Sequence, residues 1–119
     1  MKQPGSDHPI AITRNPHRVR VHFAGRVIAV TCRALTLKEA RYPPVQYIPR
    51  EDADMTALTR TTRYTHCPYK GEASYFTLAV GDRSSENAVW SYEKPFPDVQ
   101  EIAGHLAFYP ERVDAIEED

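Results

Sequence analysis

The fold class this sequence predicts is mainly β, a single small domain of antiparallel strands and hairpins with one or two short helices. Three observations lead there. Apolar and polar residues alternate with period two in short segments, Gly and Pro turn signals separate those segments, and the only helical stretches are a few residues long. At 119 residues, the chain fits one domain and can bury one core without metals or disulfides. Hydrophobic residues at 41% and charged residues at 26% exclude a disordered polar chain.

The first element is the clearest. Arg18-Val19-Arg20-Val21-His22-Phe23 alternates as a half-buried strand does, Ala24-Gly25 turns the chain, and Arg26 to Thr31 returns as a more apolar strand. The pair predicts an antiparallel hairpin with Val19, Val21 and Phe23 facing inward. Pro43-Pro44 then breaks the chain before Val45-Gln46-Tyr47-Ile48, a short strand closed by Pro49. Arg50 to Leu58 predicts one or two helical turns, with early acids suiting the N-terminus and Asp52 as the cap.

Thr59 to His66 predicts a strand that enters a tight turn at Cys67-Pro68-Tyr69-Lys70-Gly71, and Glu72 to Val80 predicts the strand that pairs back on it. Gly81 to Asn87 is expected as a polar connection, followed by a strand over Ala88 to Tyr92. Pro95 and Pro97 end that strand, Asp98 is expected to cap a short helix through Ala103 with Gly104 at its end, and Leu106 to Tyr109 forms a last strand. The boundaries expected are a flexible segment over residues 1–15, the domain over 16–114 and an acidic tail over 115–119.

Charge and cysteine content narrow the function classes. The formal net charge is −1, with arginines concentrated in the first third and acids at the end. Those arginines alternate with apolar residues and lack aromatic companions, which argues against nucleic acid. Cys32 and Cys67 form no C-x-x-C pair, so no structural metal site and no cofactor is expected. The start carries no apolar signal core and no stretch approaches the roughly 18 apolar residues of a spanning helix, which points to a cytoplasmic protein with no membrane partner. A homo-oligomer stays open.

Chemistry concentrates around the Cys67 turn. A thiol, an ammonium and phenols meet there, so Cys67 is the candidate nucleophile and Lys70 the candidate electrostatic activator. His66 is adjacent in sequence, but on a strand it points to the opposite face from Cys67, leaving His22 or His105 as the alternative base. Tyr47, Tyr69, Tyr75, Trp90 and Tyr92 are candidates to line an aromatic pocket, with Arg50, His66, Lys70 and Glu72 around it. Against the thiol role stands Cys67 as a packed turn residue, core packing is the role expected for Phe76, Phe96 and Phe108, and Lys70 with Glu72 can be a surface pair.

Four motifs in fixed order carry a family resemblance. They are Tyr47-Ile48-Pro49-Arg50-Glu51-Asp52, Cys67-Pro68-Tyr69-Lys70-Gly71-Glu72-Ala73-Ser74-Tyr75, Trp90-Ser91-Tyr92-Glu93-Lys94-Pro95 and Ile102-Ala103-Gly104-His105-Leu106-Ala107-Phe108-Tyr109. Together they resemble the bacterial family catalogued as domain of unknown function 427, over about Pro16 to Val113. The resemblance implies a small β-tent-like domain, similar to methionine sulfoxide reductase B and to the ligand-binding domain of cereblon, without an established activity. It also brings a nucleotidyltransferase-like label. The one D-x-D, Asp52-Ala53-Asp54, lacks the phosphate loop such chemistry needs.

Two functions from different classes follow. One is binding of a small ligand, anionic or aromatic, around the Cys67 to Tyr75 hairpin and Trp90. The other is thiol-dependent catalysis on the same surface, and an exposed aromatic edge would instead make a protein-interaction module.

Overall fold

In the computed structural model, which describes Gly5 and residues 8–119, the strands are β1 (Ile10–Asn15), β2 (Val19–Phe23), β3 (Arg26–Thr31), β4 (Ala34–Glu39) and β5 (Val45–Tyr47). They are followed by β6 (Leu58–Cys67), β7 (Gly71–Val80), β8 (Arg83–Ser91), β9 (Ala107–Phe108) and β10 (Ala115–Glu118). Every ladder is antiparallel. Among the described residues three sheets result, with orders β1-β4-β5, β10-β2-β3 and β6-β7-β8-β9.

The expected first hairpin is β2 and β3. Its turn residues Ala24 and Gly25 both take positive φ, 52° and 77°, the primed-turn geometry whose twist matches the flanking strands. Asp114 accepts the Ala24 N–H at 2.8 Å and steadies that turn. Val19, Val21 and Phe23 are all buried, as alternation requires.

β7 buries residues on both faces. Ala73 and Tyr75 join a cluster with Leu37, Tyr47, Tyr92 and Ile102, while Phe76 and Leu78 join the larger core with Val21, Val89 and Phe108. Double coverage explains why Tyr75 and Phe76, adjacent on the strand and so on opposite faces, are both buried. The first sheet meets the third at Ile48 and Leu106, which exchange two backbone hydrogen bonds of 2.8 Å. Buried Asn15 ties the first sheet to the second, donating to Gln46 at 3.0 Å and to Glu118 at 2.7 Å.

Several expectations need correction. The chain ends were expected outside the domain, yet β1 pairs with β4 and β10 pairs with β2; residues 1–4, 6 and 7 of the expected N-terminal segment lie outside the described residues. The polar connection after Gly81 is mostly strand, because β8 begins at Arg83 and pairs with β7 from Val80. Polar Ser84 and Ser85 masked it from a hydrophobic pattern. The helical turns are 3₁₀, over Arg50–Asp52, Met55–Ala57, Pro97–Ile102 and Pro110–Arg112, since such short segments favour the tighter i to i+3 bond.

The caps shift as well. Asp54, not Asp52, is the side-chain cap, accepting from the Thr56 N–H. Asp98 makes no cap, because Pro97 already starts the turn and Phe96 occupies the capping position.

Candidate functional site

The aromatic cluster between the first and third sheets opens into a cavity of about 720 Å³, within the range that holds small ligands. β5 contributes Tyr47, β7 contributes Tyr75, and Trp90 and Tyr92 come from β8 and the residue just beyond it. Trp90 and Tyr92 share a face because they are two apart, and Tyr75 stands directly opposite Trp90 in the ladder. Cross-strand register therefore builds the wall.

The wall is ordered by its own contacts. The Trp90 indole N–H donates to the Tyr47 hydroxyl at 3.3 Å, and the two rings meet edge to face at 6.3 Å. Tyr109 tilts against Trp90 with ring centroids 4.4 Å apart. The Tyr75 hydroxyl bonds Thr65 at 2.9 Å and Tyr109 at 3.4 Å, with the Arg63 guanidinium 4.9 Å from the Tyr75 ring centre.

These environments move the phenols in different directions. Burial pushes Tyr47 and Tyr92 well above the ordinary phenol value. Burial also raises Tyr109, and its bond with Tyr75 adds to that, so it is pushed up to about 12. Burial works the same way on Tyr75, but hydrogen bonds with Thr65, Tyr109 and Arg63 outweigh it and hold that phenol below its usual value.

The polar end is formed by the Cys67 turn. Cys67 pairs with Gly71 across a three-residue loop, and Gly71 takes φ +111°, a conformation side-chain-bearing residues rarely adopt. The Phe96 N–H donates to the Lys70 carbonyl at 3.0 Å and anchors the loop. That closure turns Lys70 inward. Only 7% of the residue is exposed, and its ammonium donates to Glu39 on β4 and lies 5.8 Å from the Tyr92 ring centre.

Burial pushes the Glu39 carboxyl up, but the hydrogen bonds from Lys70 and His8 outweigh it and hold Glu39 below the usual carboxylate range. His8 bonds the second Glu39 oxygen at 2.6 Å and stacks flat on Tyr69, with centroids 3.8 Å apart and planes at 8°. An ion pair capped by a stacked pair of rings closes this end.

The structure thus brings together Tyr47, Cys67, Tyr69, Lys70, Tyr75, Trp90 and Tyr92 around one cavity. It separates the other three. His66 and Glu72 face each other across the hairpin on the opposite side of the sheet, beside Phe96 and Glu93. Arg50 lies outside the cavity, donating to the Gly104 carbonyl at 2.7 Å and to Glu93 at 2.7 Å. The alternative of a Lys70 and Glu72 surface pair is not realised, because Lys70 turns in to Glu39 and Glu72 lies on the other side of the sheet.

Neither alternative base reaches Cys67. His22 bonds Glu117 at 2.7 Å on the second sheet, and His105 contacts the Ala103 carbonyl. The imidazole that does line the cavity is His8, already engaged by Glu39. Glu39, His8 and Tyr109 escaped the sequence reading. One signal was present for Glu39, since alternation through Leu35, Leu37 and Glu39 places all three on one strand face.

The D-x-D carboxylates are committed elsewhere. Asp52 accepts from the Thr31 hydroxyl at 2.7 Å and from Arg33 at 3.1 Å, and Asp54 pairs with Arg26 at 2.6 Å. A second hub lies at Glu93, which Arg50, Arg60 and Ser74 all contact. The Arg60 hydrogen bond leads in pulling its carboxyl down to about 2, against the opposing effect of burial.

A family model described as "Domain of unknown function (DUF427)", with the label NTP_transf_9, matches residues 11–119, and the chain belongs to that family. No curated protein matches the chain.

Proposed function

We propose that this member of the DUF427 family binds a small molecule whose flat or apolar body packs against the aromatic wall and whose polar group meets Lys70. The single observation that carries this reading is the cavity of about 720 Å³, concave and aromatic, with a part-buried charged pair at one end. Apolar walls with a few convergent polar groups are the usual make-up of a ligand site. Gathering the aromatics into a concavity supports a binder over an interaction module built on a flat edge. A β-tent likeness, with two sheets meeting over the cavity, belongs to the same reading.

Trp90 is the only tryptophan in the chain, so intrinsic fluorescence reports on this cavity directly. A screen of neutral and anionic metabolites is expected to yield compounds that shift Trp90 emission and raise the unfolding temperature together. Trp90→Ala is expected to abolish the thermal shift. Compounds that stabilise the variant as strongly as the wild type would place the binding elsewhere and overturn the reading.

The thiol reading keeps one specific support, the position of half-buried Cys67 on the same cavity as Lys70. Cys32 is exposed and serves as an internal reference. Cys67 alkylation faster than that of Cys32, and slowed by Lys70→Met, would favour catalysis; slow alkylation that a bound ligand slows further fits a packed cavity residue.

A further inference from the structure

A second cavity adjoins the first. It measures about 380 Å³ and lies between β5 and the β10-β2 edge of the second sheet. Pro44, Val45, Trp90 and Pro110 line both cavities. The Trp90 indole, held by the Tyr47 hydroxyl, is thus a shared wall.

The two cavities differ in chemistry. Val19, Val21, Ile48, Phe108 and Ile116 give the second one an apolar lining, and one oxygen of each of its polar side chains, Gln46 and Glu118, is held by Asn15. Gln46 accepts from Asn15 at 3.0 Å and from Thr36 at 2.9 Å, while Glu118 accepts from Asn15 at 2.7 Å. Little there calls for a polar ligand group. At the far end of the first cavity, Lys70 carries three N–H donors, and Glu39 is its hydrogen-bond partner among the described residues.

Charge selects the head group. The Lys70 and Glu39 pair is internally neutral, so a carboxylate head would face Glu39 and an ammonium head would face Lys70. An uncharged acceptor avoids both penalties. Resting on the ligand-binding reading above, we propose that the site takes an elongated, uncharged amphiphile. Its carbonyl-type head accepts from Lys70, and its apolar tail crosses the Trp90 face into the second cavity.

The test uses the full chain and a homologous series of primary alkanamides, from butanamide to dodecanamide, titrated by calorimetry. Affinity is expected to rise about fourfold for each added methylene, until the second cavity is filled, and then to level off. Ile116 lines only the second cavity and is 37% exposed, so Ile116→Lys is a mild change beside acidic Glu117 and Glu118. It is expected to flatten the chain-length gain while leaving butanamide binding as in the wild type. Lys70→Met is expected to weaken every chain length by a similar factor, with folding of both variants verified by thermal melts.

The outcomes separate the two levels. Amides that bind with no dependence on length, or a length gain that survives Ile116→Lys, overturn the amphiphile while the small-ligand reading stands. Failure of every amide, together with failure of the metabolite screen on Trp90, overturns both.

Discussion

Replacing Lys70 with methionine isolates the ion pair at the closed end of the cavity. The substitution keeps an unbranched apolar stem and removes the ammonium, leaving a half-buried Glu39 without it. Side-chain exposure is 9% for Lys70 and 14% for Glu39, so solvent cannot replace the lost partner fully. Breaking a buried pair costs about 3–5 kcal/mol, and with the His8 hydrogen bond retained we expect about 2–3 kcal/mol near neutral pH. For a chain of this size that corresponds to a fall of about 8–12 °C in Tm.

The pH dependence carries the diagnosis. In the wild type the Glu39 carboxyl lies below its unfolded value of 4.5, so its stabilisation is complete above that value and is lost as the pH falls through the folded one. Without Lys70, the His8 hydrogen bond alone opposes burial, so the folded carboxyl moves up from its wild-type position and protonation relieves the undercompensated charge in acid. The gap between wild type and variant should therefore be widest near neutral pH and narrow below 4.5. Urea denaturation at several pH values measures it. A gap that stays constant across that range would show the cost to be packing and would refute the electrostatic reasoning.

Two further outcomes follow from the same kind of argument. Glu93→Gln, at a partly exposed hub, is expected to cost about 1 kcal/mol near neutral pH; the Glu93 contribution is present above the unfolded 4.5 and lost as the pH falls toward about 2, so the variant's deficit should vanish there in acid denaturation curves. Gly71→Ala is expected to cost about 1–3 kcal/mol through its backbone conformation. A Cβ there would sit 3.5 Å from the nearest atom, ordinary contact, so an unchanged urea midpoint would refute the conformational demand.

Legibility of the site followed the range of the interactions. Seven of the residues singled out around the hairpin, Trp90 and Tyr47 line the cavity, because strand alternation and hairpin register are local and leave their mark on sequence spacing. The same alternation told against His66 beside Cys67, and the structure has them on opposite faces. Applied one step further, it would also have removed Glu72, which pairs with His66 across the turn. Arg50 was drawn away by Glu93, a partner 43 residues distant.

The amino-acid sequence by itself determined the β class, the two hairpins through Ala24-Gly25 and Gly71, the aromatic stock of the cavity and the family. Each of these depends on neighbours within a turn or a strand, where backbone geometry dictates which residue types fit. Only the tertiary structure decided that β1 and β10 complete the sheets, that Lys70 turns inward, and that Glu39 and His8 meet it. Lys70 and Glu39 stand 31 residues apart, and a buried ion pair exists only once two sheets have packed and excluded the water that would otherwise keep its charges separate.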